Sequence, residues 1–227
     1  MPKNDRTAPS PKSHIAFFDV DHTLTNRSTG YYFALRAIRL GIISPLVLAE
    51  IPRLYFQYRR GRLDPASLAS GSPRLAGKKR KDLERAAAEA FELHIKRDLR
   101  PAALELAASL KKKGDLLILA TSSLDIIIEP IALSLGAEGV LASRLEYDAD
   151  ERTTGRLWGA PMFGFEKLAR ARRLALGYGL ELSDCAFFTD SVHDLPLLLE
   201  AGRPIAVNPD RGLRREAKGR GWEILRL

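Results

Sequence analysis

The second half of the chain alternates short apolar segments with helical patterns, and this alternation constrains the fold more than any other feature of the sequence. Each apolar segment from Asp115 onward is bounded by polar or turn-forming residues. Such alternation predicts a mostly parallel, doubly wound sheet, because strands that alternate with helices form βαβ units. The predicted strands are "DLLILA", "GVLAS", "CAFF" and "PIAV", and the predicted helices are Leu124–Leu135, Phe163–Leu176, Asp194–Glu200 and Arg211–Arg220.

The first strand of this sheet comes from the other end of the chain. The segment "IAFFDV", Ile15–Val20, is typical of a buried strand, and a helical region over residues 29–98 separates it from the next predicted strand. That order predicts an α/β fold, a Rossmann-like parallel sheet core with a helical cap domain inserted after the first strand. We assign residues 14–28 and 99–227 to the core, residues 29–98 to the cap, and residues 1–13 to a disordered tail.

Within the predicted cap, "SPLVLAEIPRLYFQY" opens with Ser44 as a helix N-cap and Pro45 at the first helical position. Apolar residues between Val47 and Tyr58 recur on one face, and Pro52 is expected to kink or split this helix. Further elements are a helix near Lys78–Arg97, a helix from Pro101, and a polar hairpin over "SRLEYDADERTTGRLWG".

Composition and charge narrow the functional classes. The chain has 227 residues, 45% of them hydrophobic, and a net charge of +8. Residues 29–98 hold 14 Lys and Arg and 7 Asp and Glu, so the basic character belongs to the predicted cap and favours anionic partners. The single cysteine, Cys185, excludes an internal disulfide and is predicted to be a core residue. The N-terminal residues lack the apolar core of a signal peptide, and no apolar run approaches the roughly 20 residues that span a bilayer, so a cytoplasmic protein is expected.

Acidic and hydroxyl side chains follow three of the predicted strands where each strand ends. Because the carboxyl ends of parallel strands meet at one edge of a sheet, we expect these side chains to share a crevice. An acidic pair directly after an apolar strand also requires compensation by a cation or a proton. The residues are Asp19 and Asp21 after the first strand, Thr121, Ser122 and Ser123 after "LLILA", and Asp190 and Asp194 after "CAFF".

These residue types suit phosphoryl transfer. Carboxylate oxygens are hard ligands that favour Mg²⁺, which usually works with phosphate, and hydroxyls suit phosphoryl oxygens. An ionised aspartate such as Asp19 can attack phosphorus, and a carboxylate two residues away, Asp21, can carry the proton. Taken singly, Asp194 is equally well explained as a turn former or helix cap, and the three hydroxyl residues as caps of the next helix.

Four motifs resemble those of the haloacid dehalogenase superfamily of phosphohydrolases. "DVDHT", which ends at Thr23, resembles the DxDxT first motif, and Thr121 in "ILATSS" resembles the hydroxyl motif. Lys167 in "GFEKLARARRL" is similar to the lysine motif, and "TDSVHDLPLL" to the acidic motif. They occur in the family's order, and the helical insert matches the cap position of the phosphoserine-phosphatase-like branch, subfamily IB type.

The resemblance implies a Mg²⁺-dependent phosphomonoester hydrolase that forms an aspartyl-phosphate intermediate. Asp19 would be the nucleophile and Asp21 the general acid/base. Thr121 and Ser122 would bind the phosphoryl oxygens together with Lys167. The remaining implied roles are Mg²⁺ binding by Asp19, the main-chain carbonyl of Asp21 and Asp190, and support from Thr23 and from Asp194, which would orient Lys167 or a water on the metal.

Helical spacing and family resemblance disagree about Lys167. Phe165, Leu168, Ala169 and Leu176 form the predicted buried face of its helix, so spacing alone places Lys167 on the solvent side. The resemblance reverses this interpretation and implies a lysine cation that steadies the nucleophile and the phosphoryl charge.

Two other functional classes compete with a phosphatase. A receiver-type phospho-accepting domain also uses an acidic pocket, a hydroxyl and a lysine, but the helical insert and the i, i+2 acidic pair disfavour it. A non-catalytic basic binding protein is the second, because "PRLYFQYRRGR" interleaves aromatic residues with arginines and could stack bases or lie on anionic lipid. An amphipathic cap helix explains this segment more simply. Nucleic acid is therefore a disfavoured partner, and transient contact with a membrane surface stays an alternative.

The expected partner is a small-molecule phosphomonoester. Phosphoserine phosphatases carry a glutamate nine residues after the nucleophile, where it meets the ammonium group of the substrate. Here that position is Ser28, beside Arg27. A serine cannot neutralise a cation, so we expect a substrate that is neutral or anionic beyond its phosphate. Glu50 in the cap could supply a carboxylate instead, which keeps phosphoserine phosphatase proper as the alternative.

Overall fold

The computed structural model describes residues 14–49 and 73–227. Eight strands lie in this part of the chain: β1 (Ile15–Phe18), β2 (Leu116–Leu124), β3 (Gly139–Ser143), β4 (Leu145–Tyr147), β5 (Thr153–Leu157), β6 (Cys185–Thr189), β7 (Arg203–Val207) and β8 (Glu223–Leu225). Six of them form one parallel sheet in the order β3-β2-β1-β6-β7-β8, and β4 pairs with β5 as an antiparallel hairpin. This arrangement confirms the predicted α/β fold with a parallel sheet.

Seven α-helices connect these strands in the described part of the chain. They are α1 (Thr29–Arg39), α2 (Arg80–Ala90), α3 (Pro101–Lys112), α4 (Asp125–Leu135), α5 (Phe165–Gly177), α6 (Leu195–Leu198) and α7 (Arg211–Arg220). The α2 helix continues through a π-helical turn, Phe91–Ile95, into a final short turn, Lys96–Asp98.

The β1 strand lies at the centre of the sheet, and its four apolar residues are fully buried. Because successive side chains of a strand point to opposite faces, Ile15 and Phe17 contribute to the core on one face and Ala16 and Phe18 to the core on the other. Phe18 stacks on Phe188 of β6, with ring centroids 4.2 Å apart. Burial on both faces is typical of a parallel strand covered by helices.

The α1 and α2 helices pack against each other. Along the chain, both lie between β1 and β2. Arg36 of α1 and Glu89 of α2 form an ion pair at this contact. The division into a core and a cap at residues 28/29 and 98/99 remains a prediction. The buried side chains of the two helices are Phe33, Ala34 and Ala37 in α1, and Leu83, Ala86, Ala87 and Ala90 in α2.

The helix predicted from Pro45 differs from the structure. Pro45–Ala49 forms a 3₁₀ turn, in which Ser44 Oγ accepts a bond from the Leu46 amide at 3.4 Å. Such 3₁₀ turns are common at the ends of helices and in short connecting segments. The remainder of the predicted helix, including Pro52 and the apolar face up to Tyr58, lies outside the described residues, as does the predicted tail over residues 1–13.

The predicted polar hairpin is confirmed as β4 and β5. Thr153 of β5 exchanges main-chain bonds with the segment before α2, since its carbonyl accepts from Gly77 at 2.7 Å and its amide donates to Lys78 at 2.9 Å. Gly155 has a φ of +82°, and a Cβ there would lie 3.3 Å from the Pro73 Cα, so both backbone and space require glycine. No helix within residues 14–49 and 73–227 has the length and apolar character needed to cross a membrane.

Candidate active site

The carboxyl ends of β1 and β6 bring two aspartates to the same edge of the sheet. Phe18 and Phe188 are register partners, and the Asp19 amide donates to the Phe188 carbonyl at 2.8 Å. Asp190 follows β6 directly, and its carbonyl accepts from the Asp210 amide at 2.8 Å. Both Asp19 and Asp190 are buried. The two aspartates predicted to share a crevice therefore follow neighbouring central strands.

Lys167 of α5 joins Asp19 to Asp194 through a buried ion-pair network. Its Nζ lies 3.1 Å from Asp19 Oδ1 and 2.7 Å from Asp194 Oδ1. The other oxygen of Asp194 accepts from the Thr189 hydroxyl at 2.6 Å. The Asp194 side chain makes no capping bond to α6, so its interpretation as a helix cap is wrong. Asp194 instead holds the lysine that contacts Asp19.

The solvent-facing orientation of Lys167 expected from helical spacing is wrong. Lys167 is 2% exposed, whereas Phe165 is 77% and Leu176 is 61% exposed. The physical reason is that Lys167 lies in the first turn of α5, at the edge of the sheet, where its ammonium group pairs with the carboxylates of Asp19 and Asp194. A paired, hydrogen-bonded charge can be buried. The buried face of α5 consists of Lys167, Leu168, Ala171 and Ala175.

The charges of this network shift the pKa of both central groups. Burial raises the pKa of Asp19 to about 7, with Lys167 opposing the rise and Asp194 and Asp21 adding to it. Burial lowers the pKa of the Lys167 ammonium, but Asp19 and Asp194 outweigh that effect and hold it above its ordinary value. Lys167 is thus a permanent cation that does not fully compensate the carboxyl groups around it.

Asp21 is engaged by a different set of partners from Asp19. Its Oδ1 accepts from the Thr29 amide at 2.7 Å, and its Oδ2 accepts from the hydroxyls of Ser123 at 2.9 Å and Ser28 at 3.2 Å. The first residue of α1 therefore binds the carboxylate two residues after Asp19. Neither Thr29 nor the contact of Ser28 was predicted from the sequence, although a Ser-Thr pair at a helix start is a recognisable capping signal.

The hydroxyl residues after "LLILA" extend β2 and do not cap the next helix. Leu124 occupies the N-cap position of α4, and Asp125 Oδ1 accepts from the Ile126 amide in its first turn, so the capping interpretation is wrong. Thr121 is buried, and its Oγ1 accepts from the Ser123 amide at 3.2 Å. Ser122 is exposed. The structure thus places a buried hydroxyl and an exposed one at the carboxyl end of β2, next to β1.

Thr23, the last residue of the "DVDHT" motif, is buried in the turn that follows β1. The turn is closed by the Leu24 amide, which donates to the Val20 carbonyl at 2.9 Å. His22 adopts a φ of +63°, in the left-handed region that non-glycine residues seldom occupy, and this bends the chain sharply after Asp21. The turn places Asp21 beside the start of α1. The buried Thr23 hydroxyl makes no hydrogen bond within the described part of the chain, so its supporting role stays a prediction.

The donor set fits a magnesium ion. Among the described residues, no three His, Cys, Asp or Glu side chains converge as a metal site. The predicted set contains only two carboxylates, Asp19 and Asp190, with the main-chain carbonyl of Asp21, whose own side chain is occupied by α1 and β2. Mg²⁺ is commonly held by one or two carboxylates, with water and substrate phosphate completing its octahedron. An excess of carboxyl groups over cations around Asp19 also favours a cation there.

Comparison with known proteins identifies the family. A model of haloacid dehalogenase-like hydrolases matches residues 16–199. The chain therefore belongs to the haloacid dehalogenase-like hydrolases.

Its relatives place it more narrowly. The chain is 30% identical to a histidinol-phosphatase of Neisseria meningitidis serogroup C, covering 93% of this chain and 98% of the relative. It is also 30% identical to phosphoserine phosphatase SerB1 of Mycobacterium tuberculosis, covering 97% of this chain and 73% of that protein. The chain is a phosphatase of this family and falls in its phosphoserine-phosphatase-like branch.

Solved structures show the same architecture. A protein of unknown function from Bordetella pertussis is 33% identical, with a TM-score of 0.82 over 95% of this chain and 99% of that one. A substrate-bound phosphoserine phosphatase, 22% identical, has a TM-score of 0.73 over 95% of this chain and 94% of that one. At that identity the likeness establishes the fold alone.

Proposed function

We propose that the chain is a Mg²⁺-dependent phosphomonoester hydrolase that acts through an aspartyl-phosphate on Asp19. The observation that carries the proposal is the buried contact of Asp19 Oδ1 with Lys167 Nζ, 3.1 Å apart, at the end of the central strand. A carboxylate in this position is oriented, desolvated and paired with a cation, which are the conditions for a carboxylate nucleophile.

The first half of the reaction transfers the phosphoryl group to the enzyme. An Asp19 oxygen forms a bond to phosphorus as the bond to the leaving oxygen breaks, and Asp21 donates its proton to that oxygen, so that an alcohol departs. Thr121 and Ser122 bind phosphoryl oxygens at the end of β2, and Lys167 balances the negative charge. When bound, Mg²⁺ supplies charge neutralisation at the phosphoryl group, held by Asp19, the Asp21 carbonyl and Asp190.

The second half returns the enzyme to its starting state. Asp21, now a carboxylate, removes a proton from water as the water oxygen bonds to phosphorus. The bond between phosphorus and the Asp19 oxygen breaks, and inorganic phosphate leaves. Asp194 keeps Lys167 in place through both halves, since its Oδ1 lies 2.7 Å from Nζ.

The test is hydrolysis of a panel of phosphomonoesters by the wild type and Asp19→Asn, with Mg²⁺ and with excess chelator. An amide is a poor nucleophile, so Asp19→Asn is expected to fold normally and to lose activity by at least about a thousandfold. Chelation is expected to abolish activity, and added Mg²⁺ to restore it. Near wild-type turnover by Asp19→Asn, or full activity in chelator, contradicts the proposal.

We propose further that the substrate is neutral or anionic beyond its phosphate. Ser28 stands where phosphoserine phosphatases carry a glutamate, and its hydroxyl faces Asp21 at 3.2 Å. The Asp98 carboxylate accepts from the Arg27 amide at 2.8 Å, so it is already engaged by the main chain. Ser28 adds no negative charge, and the net +7 of residues 29–98 favours an uncharged or anionic leaving group.

The names of two relatives favour a second candidate. The similar Neisseria protein is a histidinol-phosphatase and the similar Mycobacterium protein a phosphoserine phosphatase, and both named substrates carry an amine. The panel should therefore include phosphoserine and histidinol phosphate beside a sugar phosphate, glycerol phosphate and a lysophospholipid phosphate. A clear preference for an amine-bearing ester would select this second candidate.

A further inference from the structure

The carboxylate of Asp21 is held by three donors that come from two different segments. Thr29 N binds Oδ1 at 2.7 Å from the start of α1, and Ser123 Oγ binds Oδ2 at 2.9 Å from the end of β2. Ser28 Oγ adds a longer contact to Oδ2 at 3.2 Å. A side chain bound on both oxygens has little rotational freedom, so these contacts fix the direction in which Asp21 points.

Hydrogen-bond chemistry sets the direction of the bonds. A carboxylate only accepts, so Ser123 donates its hydroxyl proton to Asp21. The oxygen of Ser123 is then free to accept from the Thr29 hydroxyl, which lies 3.1 Å away. Thr29 therefore braces Ser123 as well as binding Asp21 directly, and the first turn of α1, the end of β2 and the turn after β1 share one network.

Ser28 occupies an N-cap position without capping its helix. Its side chain makes no bond to an amide of α1, although a serine at this position typically stabilises a helix by such a bond. The hydroxyl instead faces Asp21, and the Asp21 carboxylate accepts from the Thr29 amide at the first position of the helix. Ser28 therefore contacts Asp21 and does not stabilise α1 through a side-chain cap.

The two oxygens of Asp21 have partners of different chemistry. A backbone N–H can only donate, so Oδ1 is always an acceptor, whereas a hydroxyl can donate or accept by rotating. Ser28 and Ser123 can therefore stay in contact with Oδ2 before and after a proton passes. This makes Oδ2 the oxygen suited to face the leaving group.

We propose that Ser123, assisted by Ser28 and Thr29, is a positioning residue that directs Asp21 Oδ2 at the leaving oxygen of the substrate. The inference rests on the proposed role of Asp21 as general acid. Under this proposal Ser123 acts through Asp21 and makes no bond to the phosphoryl group, so its removal is expected to leave substrate binding intact and to misdirect the proton.

The experiment compares two leaving groups. Departure of an alkoxide needs a proton, whereas the nitrophenolate of para-nitrophenyl phosphate leaves without one. For Ser123→Ala, kcat/KM is expected to fall about tenfold or more with the best alkyl phosphate of the panel, and to stay within about threefold with para-nitrophenyl phosphate. A burst of nitrophenol is also expected, because Asp21 must activate water in the second half. Ser28→Ala should show the same pattern more weakly, and Ser123→Thr should restore the alkyl phosphate rate.

Controls separate the possible failures. Ser134→Ala removes a hydroxyl from α4 that donates to the Ile131 carbonyl at 2.8 Å, and it should change neither rate. Asp21→Asn serves as the reference for lost acid catalysis. If Asp21→Asn leaves the alkyl phosphate rate unchanged, the proposed role of Asp21 fails. The positioning role of Ser123 is overturned, while the proposed function stands, if Asp21→Asn lowers the alkyl phosphate rate but Ser123→Ala does not. The same conclusion follows if Ser123→Ala lowers kcat/KM equally for both substrates.

Discussion

At the scale of single residues, the charge balance of the site depends on Lys167. It is the cation that Asp19 and Asp194 share, at 3.1 Å and 2.7 Å. Removing its charge would leave two buried carboxyl groups uncompensated and would raise the pKa of Asp19 above about 7, so that a larger fraction of Asp19 would be protonated at neutral pH. Lys167 is therefore expected to serve both the reactivity of Asp19 and the stability of the fold.

We predict that Lys167→Met lowers kcat by at least about a hundredfold and the free energy of unfolding by about 3 kcal/mol, as for other broken buried ion pairs. Arg170→Met is the matched control, because Arg170 lies on the same helix and pairs with Glu166 near the surface. That pair should contribute less than about 1 kcal/mol, and activity should persist. Phosphatase assays and urea unfolding check both variants. Equal effects of the two substitutions would contradict the role of Lys167.

Cys185 illustrates a residue that the site does not use. Burial raises the pKa of its thiol to about 11 from an ordinary 9.0, and its Sγ donates to the Glu181 carbonyl at 3.2 Å. Because the thiolate is the reactive form, we predict that iodoacetamide labels the native protein at pH 8 at least about a hundredfold more slowly than the urea-unfolded chain. Mass spectrometry of time points measures both rates. Comparable rates would show that the thiol is accessible and ionised in the fold.

At the scale of elements, the sequence predicted strand positions well because an apolar strand bounded by polar residues is a local pattern. The first strand "IAFF" and its partner "CAFF" were both recognisable, and the aspartates that follow them meet because parallel strands end at one edge. The contact of Asp21 with Ser123 was not predictable, because it joins positions 102 residues apart in the chain. Thr29 is only eight residues from Asp21, but their contact depends on the direction of the turn after β1, which the apolar pattern does not give.

The orientation of α5 shows where pattern reasoning fails. Periodicity assigns a lysine to solvent, so the predicted buried face was shifted to include Phe165 and Leu176, both largely exposed in the structure. Lys167 is buried because it pairs with Asp19 and Asp194, which lie far from it in the sequence. The residues around Lys167 in the sequence therefore do not indicate that it is buried. Only the resemblance to a family indicated the inward direction of Lys167.

The corrected orientation of α5 makes a prediction about stability. Leu168 is 7% exposed and packs in the core, whereas Leu176, two turns later on the same helix, is 61% exposed. Leu168→Ala is expected to lower the free energy of unfolding by about 2–5 kcal/mol, and Leu176→Ala by less than about 0.5 kcal/mol. Urea unfolding of the two variants measures the difference. A larger loss of unfolding free energy for Leu176→Ala than for Leu168→Ala would mean that Leu176 belongs to the buried face of α5, as helical spacing predicts.

At the scale of the whole molecule, charge is distributed unevenly between the two predicted domains. Residues 29–98 carry a net +7 of the total +8, so the proposed cap is basic while the site it would cover is rich in carboxylates. A field of this kind raises the local concentration of anions near the entrance and acts over about a Debye length, roughly 10 Å at 0.1 M salt. Neutral substrates would feel it only through their phosphate.

Two substrates with the same skeleton test this idea. Phosphoglycerate differs from glycerol phosphate by a carboxylate in place of a hydroxymethyl group, so any difference in salt dependence reports that extra charge. We predict that kcat/KM for phosphoglycerate falls about threefold more than that for glycerol phosphate between about 20 mM and 300 mM salt. If kcat/KM for the two esters depends equally on salt, the charge of the cap does not contribute to substrate specificity.

The same assay decides whether an ammonium group on the leaving group is disfavoured. Serine is neutral overall beyond the phosphate, but with Ser28 in contact with Asp21 no carboxylate at position 28 meets its ammonium group. The basic cap favours the extra negative charge of phosphoglycerate over both other esters. At low salt, we expect kcat/KM to follow the order phosphoglycerate, glycerol phosphate, phosphoserine. Raising the salt concentration should narrow this order, because screening weakens the field but does not alter the contacts of Ser28. A tenfold advantage for phosphoserine, about 1.4 kcal/mol in transition-state free energy, would show that another group binds the amine and that local contacts override the charge of the cap.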